Sequence, residues 1–326
     1  VKSIQEAIDR AEQMSDTRIT AVYAGIAGDH IRSFNSRGVI AVSGPENEIT
    51  PNDEARVIEA AKAINIPLDR EIVHVLPQDF LVDDQPGIKD PIGMSGVRLE
   101  ADVHIVTGAV TSAQNICKSI RRAGVEVVDL VLEPIASSYA VLTPDEEEMG
   151  CLLVDIGGGT SDIAVFYDGS IRHTAVVGLG GENVTHDVSI GMRTPLKQAE
   201  ALKRMHGCAL SSLVSKEEAI EVPGIAGRPP YKVERAEMTS IIEARMDEIF
   251  SLVHRELMRT DYAHLLAAGV VVTGGGAMVE GCAELAEEIF DMPVRIGTPR
   301  NVTGLVDAVT QPIYATGVGL VQFGLN

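Results

Sequence analysis

Apolar residues in the first half of the chain alternate between helical and strand spacing. Through residues 1–15 they recur every three or four positions, at Ile4, Ala7, Ile8, Ala11 and Met14, which predicts a helix with one buried face. Residues 83–96, rich in Gly, Pro and Asp, are predicted to be a loop. The other patterns predict strands at 19–23, 31–42, 71–76, 101–107 and 125–132, and helices at 50–65, 112–123 and 133–142.

The second half of the chain shows the same alternation. The acidic segment 143–148 is predicted to be a hinge, and 222–230 a surface loop. Strands are predicted at 151–154, 163–167, 171–177 and 270–273, and helices from Asn183 and over 195–205, 235–258 and 278–290. Strands that alternate with helices in this way predict an α/β fold.

Composition narrows the classes of protein that this chain can be. At 326 residues it is long enough for two or more domains. The net charge of −20, from 27 basic and 47 acidic residues, argues against nucleic acid as a partner, because phosphates would repel such a surface. No apolar run approaches the ~20 residues needed to span a bilayer. The four cysteines are widely separated, so we expect neither a disulfide framework nor a zinc site, and the cytosol is the expected compartment.

A glycine-rich stretch, Asp155-Ile156-Gly157-Gly158-Gly159-Thr160-Ser161-Asp162, lies between two predicted strands. Glycines allow a tight turn and expose backbone N–H groups that can hold a polyphosphate, and Thr160 adds a hydroxyl. Asp155, at the end of a predicted buried strand, is placed to hold Mg²⁺ through water. The stretch therefore predicts a phosphate clamp formed by Gly157, Gly158, Gly159 and Thr160.

Two commoner glycine motifs do not fit this stretch. A Walker A loop needs a lysine after its glycines, and the dinucleotide fingerprint opens a helix, whereas here no lysine follows and a β-branched run predicts a second strand. A glycine-rich hairpin without any ligand remains an alternative.

A second set of candidate binding residues lies farther along the chain. Gly274, Gly275, Gly276, Ala277 and Met278 follow the predicted strand 270–273, a pattern that lets the backbone approach a flat ligand group. On the predicted helix 195–205, Glu200 and Lys203 lie three residues apart and share one face.

Two predicted short helices, 134–142 and 312–320, match each other in their pattern of Ala, Ser, Thr and Gly. Such small residues allow two backbones to cross closely. We interpret the two as crossing helices that form a hinge over a nucleotide cleft, with two independently packed helices as the alternative.

These elements, in this order, resemble the actin, Hsp70 and sugar-kinase superfamily, and the similarity to the bacterial cell-division FtsA family is closer still. It extends over nearly all 326 residues. The phrases that carry it are Gly93-Met94-Ser95-Gly96-Val97-Arg98-Leu99, Ala136-Ser137-Ser138-Tyr139, His206-Gly207-Cys208-Ala209-Leu210, Gly227-Arg228-Pro229-Pro230 and Val294-Arg295-Ile296-Gly297.

The resemblance implies an actin-like, two-lobed α/β ATPase fold with an inserted, SHS2-like subdomain called 1C. Its subdomains would be 1A at 1–17, 101–145 and 312–326, 1C at 18–100, 2A at 146–185 and 265–311, and 2B at 186–264. The family's first phosphate loop is expected before residue 1, and its membrane-binding amphipathic helix after residue 326.

The resemblance also implies a nucleotide site for ATP and Mg²⁺ between the halves. Gly157 to Thr160 would contact the phosphates, Glu200 and Lys203 the ribose, and Gly274 to Met278 the adenine. Glu133, at the start of the first connecting helix, would position the attacking water, with helix capping as the alternative role. Any hydrolysis would be slow, because the family is primarily structural.

The implied function is a scaffold that polymerises into filaments and tethers the tubulin-like FtsZ ring to the cytoplasmic face of the inner membrane at the division site. Subdomain 2B would receive the C-terminal tail of FtsZ, and 1C other divisome proteins. Arg245, on the polar side of helix 235–258, is the candidate tail-binding residue, with pairing to acids of its own helix as the alternative.

Three other functions stay open. A PilM-type pilus-assembly protein shares the insertion and the nucleotide loops. A small-molecule kinase would need a catalytic base for which no further acid stands out, and a chaperone would need a substrate domain after the second connecting helix.

Overall fold

The computed structural model describes residues 1–215, 217–225, 227–304 and 308–325. The chain forms two compact units. Unit 1 comprises residues 1–26, 30–132 and 170–174, and unit 2 comprises residues 27–29, 133–169 and 175–326.

Unit 1 contains an antiparallel four-stranded sheet in the order β2-β5-β3-β4 and a parallel pair, β1 and β6. Its strands are β1 (Ala21–Ile26), β2 (Arg32–Ala41), β3 (Arg70–Val82), β4 (Gln85–Ile88), β5 (Arg98–Ala109) and β6 (Glu126–Leu132). Its helices are α1 (Lys2–Ser15), α2 (Pro51–Lys62) and α3 (Val110–Arg122).

Helix α2 packs closely on the four-stranded sheet. It begins with a capping box, in which the side chain of Thr50 accepts from the N–H of Asp53 and the Asp53 carboxylate accepts from the N–H of Thr50. Gly38 of β2 makes room for the helix, because a Cβ atom there would lie 2.1 Å from the carbonyl oxygen of Val57. The apolar face of α2 and the buried side of β5 form the core of this part of unit 1.

Unit 2 is built on a five-stranded sheet in the order β13-β12-β7-β8-β9. Two further strands, β10 and β11, form a separate antiparallel pair. Its strands are β7 (Cys151–Ile156), β8 (Ser161–Tyr167), β9 (Ser170–Val177), β10 (Ala219–Val222), β11 (Tyr231–Glu234), β12 (Val270–Thr273) and β13 (Val294–Ile296). Strand β9 is divided between the units at Thr174.

The helices of unit 2 are α4 (Glu133–Val141), α5 (Pro144–Met149), α6 (Gly181–Gly191), α7 (Leu196–His206), α8 (Arg235–Leu257), α9 (Cys282–Phe290) and α10 (Ala315–Phe323). Four of them, α6 to α9, contribute about half of the large core of this unit. The long helix α8 buries Met238, Ile242, Met246, Ile249 and Phe250 in this core. Such a one-sided apolar stripe agrees with the predicted amphipathic helix.

Three predicted elements were wrong in part. The acidic segment 143–148 is not an open hinge but mostly helix α5, because Thr143 and Glu146 form a capping box and Pro144 occupies the first turn. The predicted loop 83–96 contains strand β4, which pairs with β3. The helix predicted from Met278 begins at Cys282, because a short 3-10 turn (Gly275–Met278) and Gly281, with φ of 76°, precede it.

None of the helices in the described residues is long and apolar enough to cross a membrane.

Candidate functional site

The predicted glycine turn joins β7 to β8 in unit 2, and the strand, turn, strand arrangement is confirmed. The two strands pair antiparallel up to Ile156 and Ser161, and the N–H of Gly157 donates to the carbonyl of Thr160 at 2.9 Å. Among the described residues, the N–H groups of Gly158 and Gly159 have no backbone partner. These two donors are therefore available to an anion.

The carbonyl side of this turn is held by the start of helix α6. The N–H of Gly181 donates to the carbonyl of Gly157 at 2.9 Å, and the N–H of Glu182 donates to that of Gly158 at 2.8 Å. The first N–H groups of a helix lack partners within the helix, so these bonds satisfy them. Gly180 is required here, since a Cβ atom would lie 2.6 Å from the Gly158 carbonyl oxygen.

Asp155 lies at the end of β7 with its side chain buried beneath the glycine turn. Its Oδ2 accepts hydrogen bonds from Ser137 Oγ of α4 and from Thr316 Oγ1 of α10 at 3.0 Å. Burial raises the pKa of Asp155 above its usual range, and the two hydroxyl donors oppose that rise. The sequence predicted Asp155 at this place but gave no indication of its two partners.

Asp162, directly opposite Asp155 in the strand pair, is a site residue that the sequence interpretation missed. One oxygen accepts from Thr160 Oγ1 at 2.9 Å, while Oδ1 is buried and has no hydrogen-bond partner among the residues that the structure describes. Burial and the charges of Glu133, Asp155 and Asp29 raise the pKa of Asp162 to about 7. A buried carboxylate oxygen without a partner is unusual, and a water, an ion or a ligand can satisfy such an atom.

Glu133 is the first residue of α4, as predicted, and lies near these acids in unit 2. Burial and the charge of Asp155 raise the pKa of Glu133. Its role in positioning water stays a prediction.

The second glycine segment adjoins the first. Strand β12 pairs in parallel with β7, with Thr273 beside Asp155, so both glycine turns leave the same edge of the sheet. Gly274 has a φ of 85°, and a Cβ atom there would lie 2.3 Å from Asp155 Oδ1. A Cβ atom at Gly276 would likewise lie 2.3 Å from a methyl carbon of Ile156, whereas the side chain of Met278 is exposed.

Glu200 and Lys203 form an ion pair of 2.7 Å on α7. Lys203 Nζ also donates to the carbonyl of Gly181 at 2.8 Å and to Thr185 Oγ1 at 2.7 Å. The N–H of the same Gly181 donates to the carbonyl of Gly157. Gly181 therefore links the Glu200–Lys203 ion pair to the glycine turn. The predicted phosphate, ribose and adenine residues are thus all found in unit 2, although their roles stay predictions.

Arg245 lies on the outer part of α8, where its guanidinium pairs with Asp187 of α6 at 2.5 Å and with Glu248 of its own helix. The side chain is half-buried. The arginine is therefore already neutralised within unit 2, partly in the way that the alternative interpretation predicted. Its partner-binding role stays a prediction.

The donor set fits a magnesium nucleotide better than a metal bound by protein alone. Within the described part of the chain, no group of three or more His, Cys, Asp or Glu is arranged to hold a metal ion. Mg²⁺ keeps several waters and is usually bound by one or two carboxylates together with phosphates. Free N–H groups at Gly158 and Gly159, beside Asp155 and the unpartnered Asp162 oxygen, match that chemistry.

Solved structures with a similar fold define the class of protein. A PilM-PilN type IV pilus biogenesis complex has a TM-score of 0.67 and 16% identity, over 99% of this chain and 85% of that chain. MreB5 of Spiroplasma citri bound to ADP has a TM-score of 0.54 and 21% identity, over 66% and 65%. With the glycine turns described above, these neighbours show an actin-like fold.

Family models and curated relatives are more specific. A model described as "Cell division protein FtsA" matches residues 152–319, and one described as "SHS2 domain inserted in FTSA" matches residues 28–107. Cell division protein FtsA of Pseudomonas aeruginosa is 52% identical over 326 residues, covering 100% of this chain and 78% of the relative. That of Escherichia coli K12 is 44% identical over 331 residues, covering 99% and 78%. The chain belongs to the cell division protein FtsA family.

Proposed function

We propose that the protein binds ATP with Mg²⁺ at the two glycine turns of unit 2 and acts as an actin-like scaffold of the division machinery. The single observation that supports this most is the glycine turn between β7 and β8. Its carbonyls are tied to α6, while the N–H groups of Gly158 and Gly159 have no partner in the described backbone. Beside it lies the unpartnered, buried oxygen of Asp162.

The geometry of one element supports each proposed contact. The N–H groups of the first turn hold the phosphates, and Asp155 and Asp162 orient the waters of Mg²⁺. The second turn, Gly274 to Met278, offers backbone without side chains to the adenine. Glu200, whose side chain is 44% exposed, binds the ribose, and Lys203 orients it. Glu133 positions the attacking water, and turnover is slow.

The scaffold assembles into filaments and binds the C-terminal tail of FtsZ through residues 186–264, which correspond to subdomain 2B. Other divisome proteins bind the SHS2 subdomain. The protein works at the cytoplasmic face of the inner membrane, at the division site. Family membership supports this role, because relatives over nearly the whole chain are cell division proteins.

Binding of the tail at Arg245 carries a free-energy cost, because the arginine must break its ion pair with Asp187 or bind Asp187 and the peptide at once. A surface ion pair of this kind contributes only ~0–1 kcal/mol, so an acidic peptide that makes several bonds could displace it. Added salt should weaken such binding.

Co-sedimentation of the full-length protein with FtsZ polymers tests the scaffold. We expect wild type to pellet with FtsZ, Arg245→Glu to pellet less, and Arg255→Glu, an exposed arginine three turns along the same helix, to behave as wild type. Equal pelleting of all three would remove Arg245 from the tail site, and no pelleting of wild type would contradict FtsZ tethering.

A further inference from the structure

Two helices far apart in sequence donate hydrogen bonds to the same carboxylate oxygen. Ser137 of α4 and Thr316 of α10 both donate to Oδ2 of Asp155, and the two hydroxyl oxygens are 3.1 Å apart. Ser137 is fully buried and Asp155 is 5% exposed. Because both hydroxyls donate to the same oxygen, this arrangement restrains the carboxyl group of Asp155.

The second glycine turn leaves room for the other oxygen of Asp155. A Cβ atom at Gly274 would come within 2.3 Å of Oδ1, so only glycine leaves the carboxylate its place. Two hydroxyls therefore bind one oxygen of the Asp155 side chain, and the missing side chain of Gly274 leaves space for the other.

The two donors are held together by the packing of their helices. Gly319 of α10 approaches α4 so closely that a Cβ atom would lie 1.7 Å from the carbonyl oxygen of Ala136. Ala136 directly precedes Ser137, and Gly319 follows Thr316 by one helical turn. A change in the crossing of α4 and α10 would thus move at least one hydroxyl away from Asp155.

We propose that Ser137 and Thr316 are positioning residues that orient Asp155 toward the water shell of Mg²⁺ and couple the metal-dependent part of ATP affinity to the packing of α4 against α10. The inference rests on the proposed nucleotide site. Residues that orient a metal-binding carboxylate commonly contribute about 10- to 100-fold in metal affinity.

The test compares ATP dissociation constants of the full-length protein in Mg²⁺ and in EDTA. Ser137→Ala and Thr316→Val each remove one hydroxyl, and Thr316→Ser keeps it. Ser138→Ala is the matched control, because Ser138 Oγ donates to the carbonyl of Ile135 within α4 and not to Asp155. We expect the first two changes to lower the ratio of the EDTA to the Mg²⁺ dissociation constant by about tenfold. Thr316→Ser and Ser138→Ala should leave the ratio as in wild type.

A merely structural role would lower the melting temperature but leave this ratio unchanged, and that result would overturn the inference. If Ser137→Ala does not fold, the comparison of Thr316→Val with Thr316→Ser decides the question alone. Wild type that fails to bind ATP in Mg²⁺ would instead overturn the proposed site, and the inference with it.

Discussion

Gly319 lies directly against Ala136, so that a Cβ atom added to the glycine would be 1.7 Å from the alanine's carbonyl oxygen. The helices that carry them, α4 and α10, are those that the sequence pattern paired as crossing helices. Their close packing is confirmed, and the alternative of two independent helices is wrong. Their role as a hinge stays a prediction.

The first prediction concerns this crossing. Gly319→Ala should destabilise the protein by about 1–3 kcal/mol or more, because the backbones must separate to admit the methyl group. Gly317→Ala, in the same helix, is the control, since no atom lies within 4 Å of its added Cβ. It should be neutral or stabilising by up to ~1 kcal/mol, because alanine favours helix over glycine. Urea unfolding measures both, and equal stability of the two variants would contradict the packing.

A second prediction separates steric conflict from backbone strain at Gly274. Gly274→Ala places a methyl group against Asp155, whereas Gly124→Ala, also at positive φ (96°), meets no atom within 4 Å. In both variants a residue with a Cβ atom must adopt a strained backbone at positive φ, which costs about 1–3 kcal/mol. We expect Gly274→Ala to cost clearly more in thermal unfolding, and a matching loss in the two variants would show that Asp155 does not lie where described.

His104 predicts a pH dependence of stability in unit 1. Its Nδ1 lies 2.7 Å from Asn35 Oδ1 and its Nε2 2.9 Å from Thr174 Oγ1, and burial lowers its pKa to about 3. The unfolded chain, with a His pKa near 6.5, binds more protons between these values. The contribution of neutral His104 to the free energy of unfolding is therefore fully present above about pH 6.5 and is lost as the pH falls towards 3.

The measurement is the free energy of unfolding against pH from 4 to 7. Relative to wild type, His104→Gln should reduce the slope by up to ~1.4 kcal/mol per pH unit. Replacement of the exposed His264 by Gln is the matched control for the substitution itself. A wild-type slope in His104→Gln would mean that the imidazole takes up a proton in the folded protein.

The contacts of Arg295 predict that replacing it by lysine, which keeps the charge, lowers the stability of the protein. Its guanidinium binds both carboxylate oxygens of Glu146, at 2.5 and 2.7 Å, and the carbonyl of Val141 at 2.8 Å, which joins β13 to the end of α4 and the start of α5. Lysine cannot reproduce this planar, bidentate geometry. Arg295→Lys should lose about 1–3 kcal/mol in chemical unfolding.

The control for that change is Arg300→Lys, because Arg300 contacts its neighbours through its backbone, donating to Ala140 and accepting from Gln322. It should unfold as wild type does. If Arg295→Lys and Arg300→Lys unfold alike, the bidentate geometry of the Arg295–Glu146 pair contributes nothing to stability beyond its charge.

The glycine turn was predictable from sequence because an apolar strand precedes it and a β-branched, aromatic run follows it, which argues against a helix after the glycines. The helix at 144–149 could also have been found, since Thr143-x-x-Glu146 is a capping-box pattern that the acidic composition obscured. The partners of Asp155 could not. Ser137 and Thr316 lie 18 and 161 residues away in sequence, and only tertiary packing brings them together.

Arg245 shows the same limit. Its position on the polar side of α8 was correct, but its pairing with Asp187 depends on how α6 packs on α8. Asp162 was quoted in the motif but not assigned a role, because only the structure shows that one of its oxygens is buried without a partner.

The central claim, that the first glycine turn binds a nucleotide, is tested most directly at Gly159. An added Cβ there meets no atom within 4 Å, so Gly159→Ala has nothing to disturb in the ligand-free protein and changes only what a ligand would contact. Calorimetric titration of the full-length protein with ATP in Mg²⁺ should show binding by wild type and about tenfold weaker binding by Gly159→Ala, equal to ~1.4 kcal/mol, at an unchanged ligand-free melting temperature. Equal affinities of the two proteins, or no binding by wild type, would contradict the account.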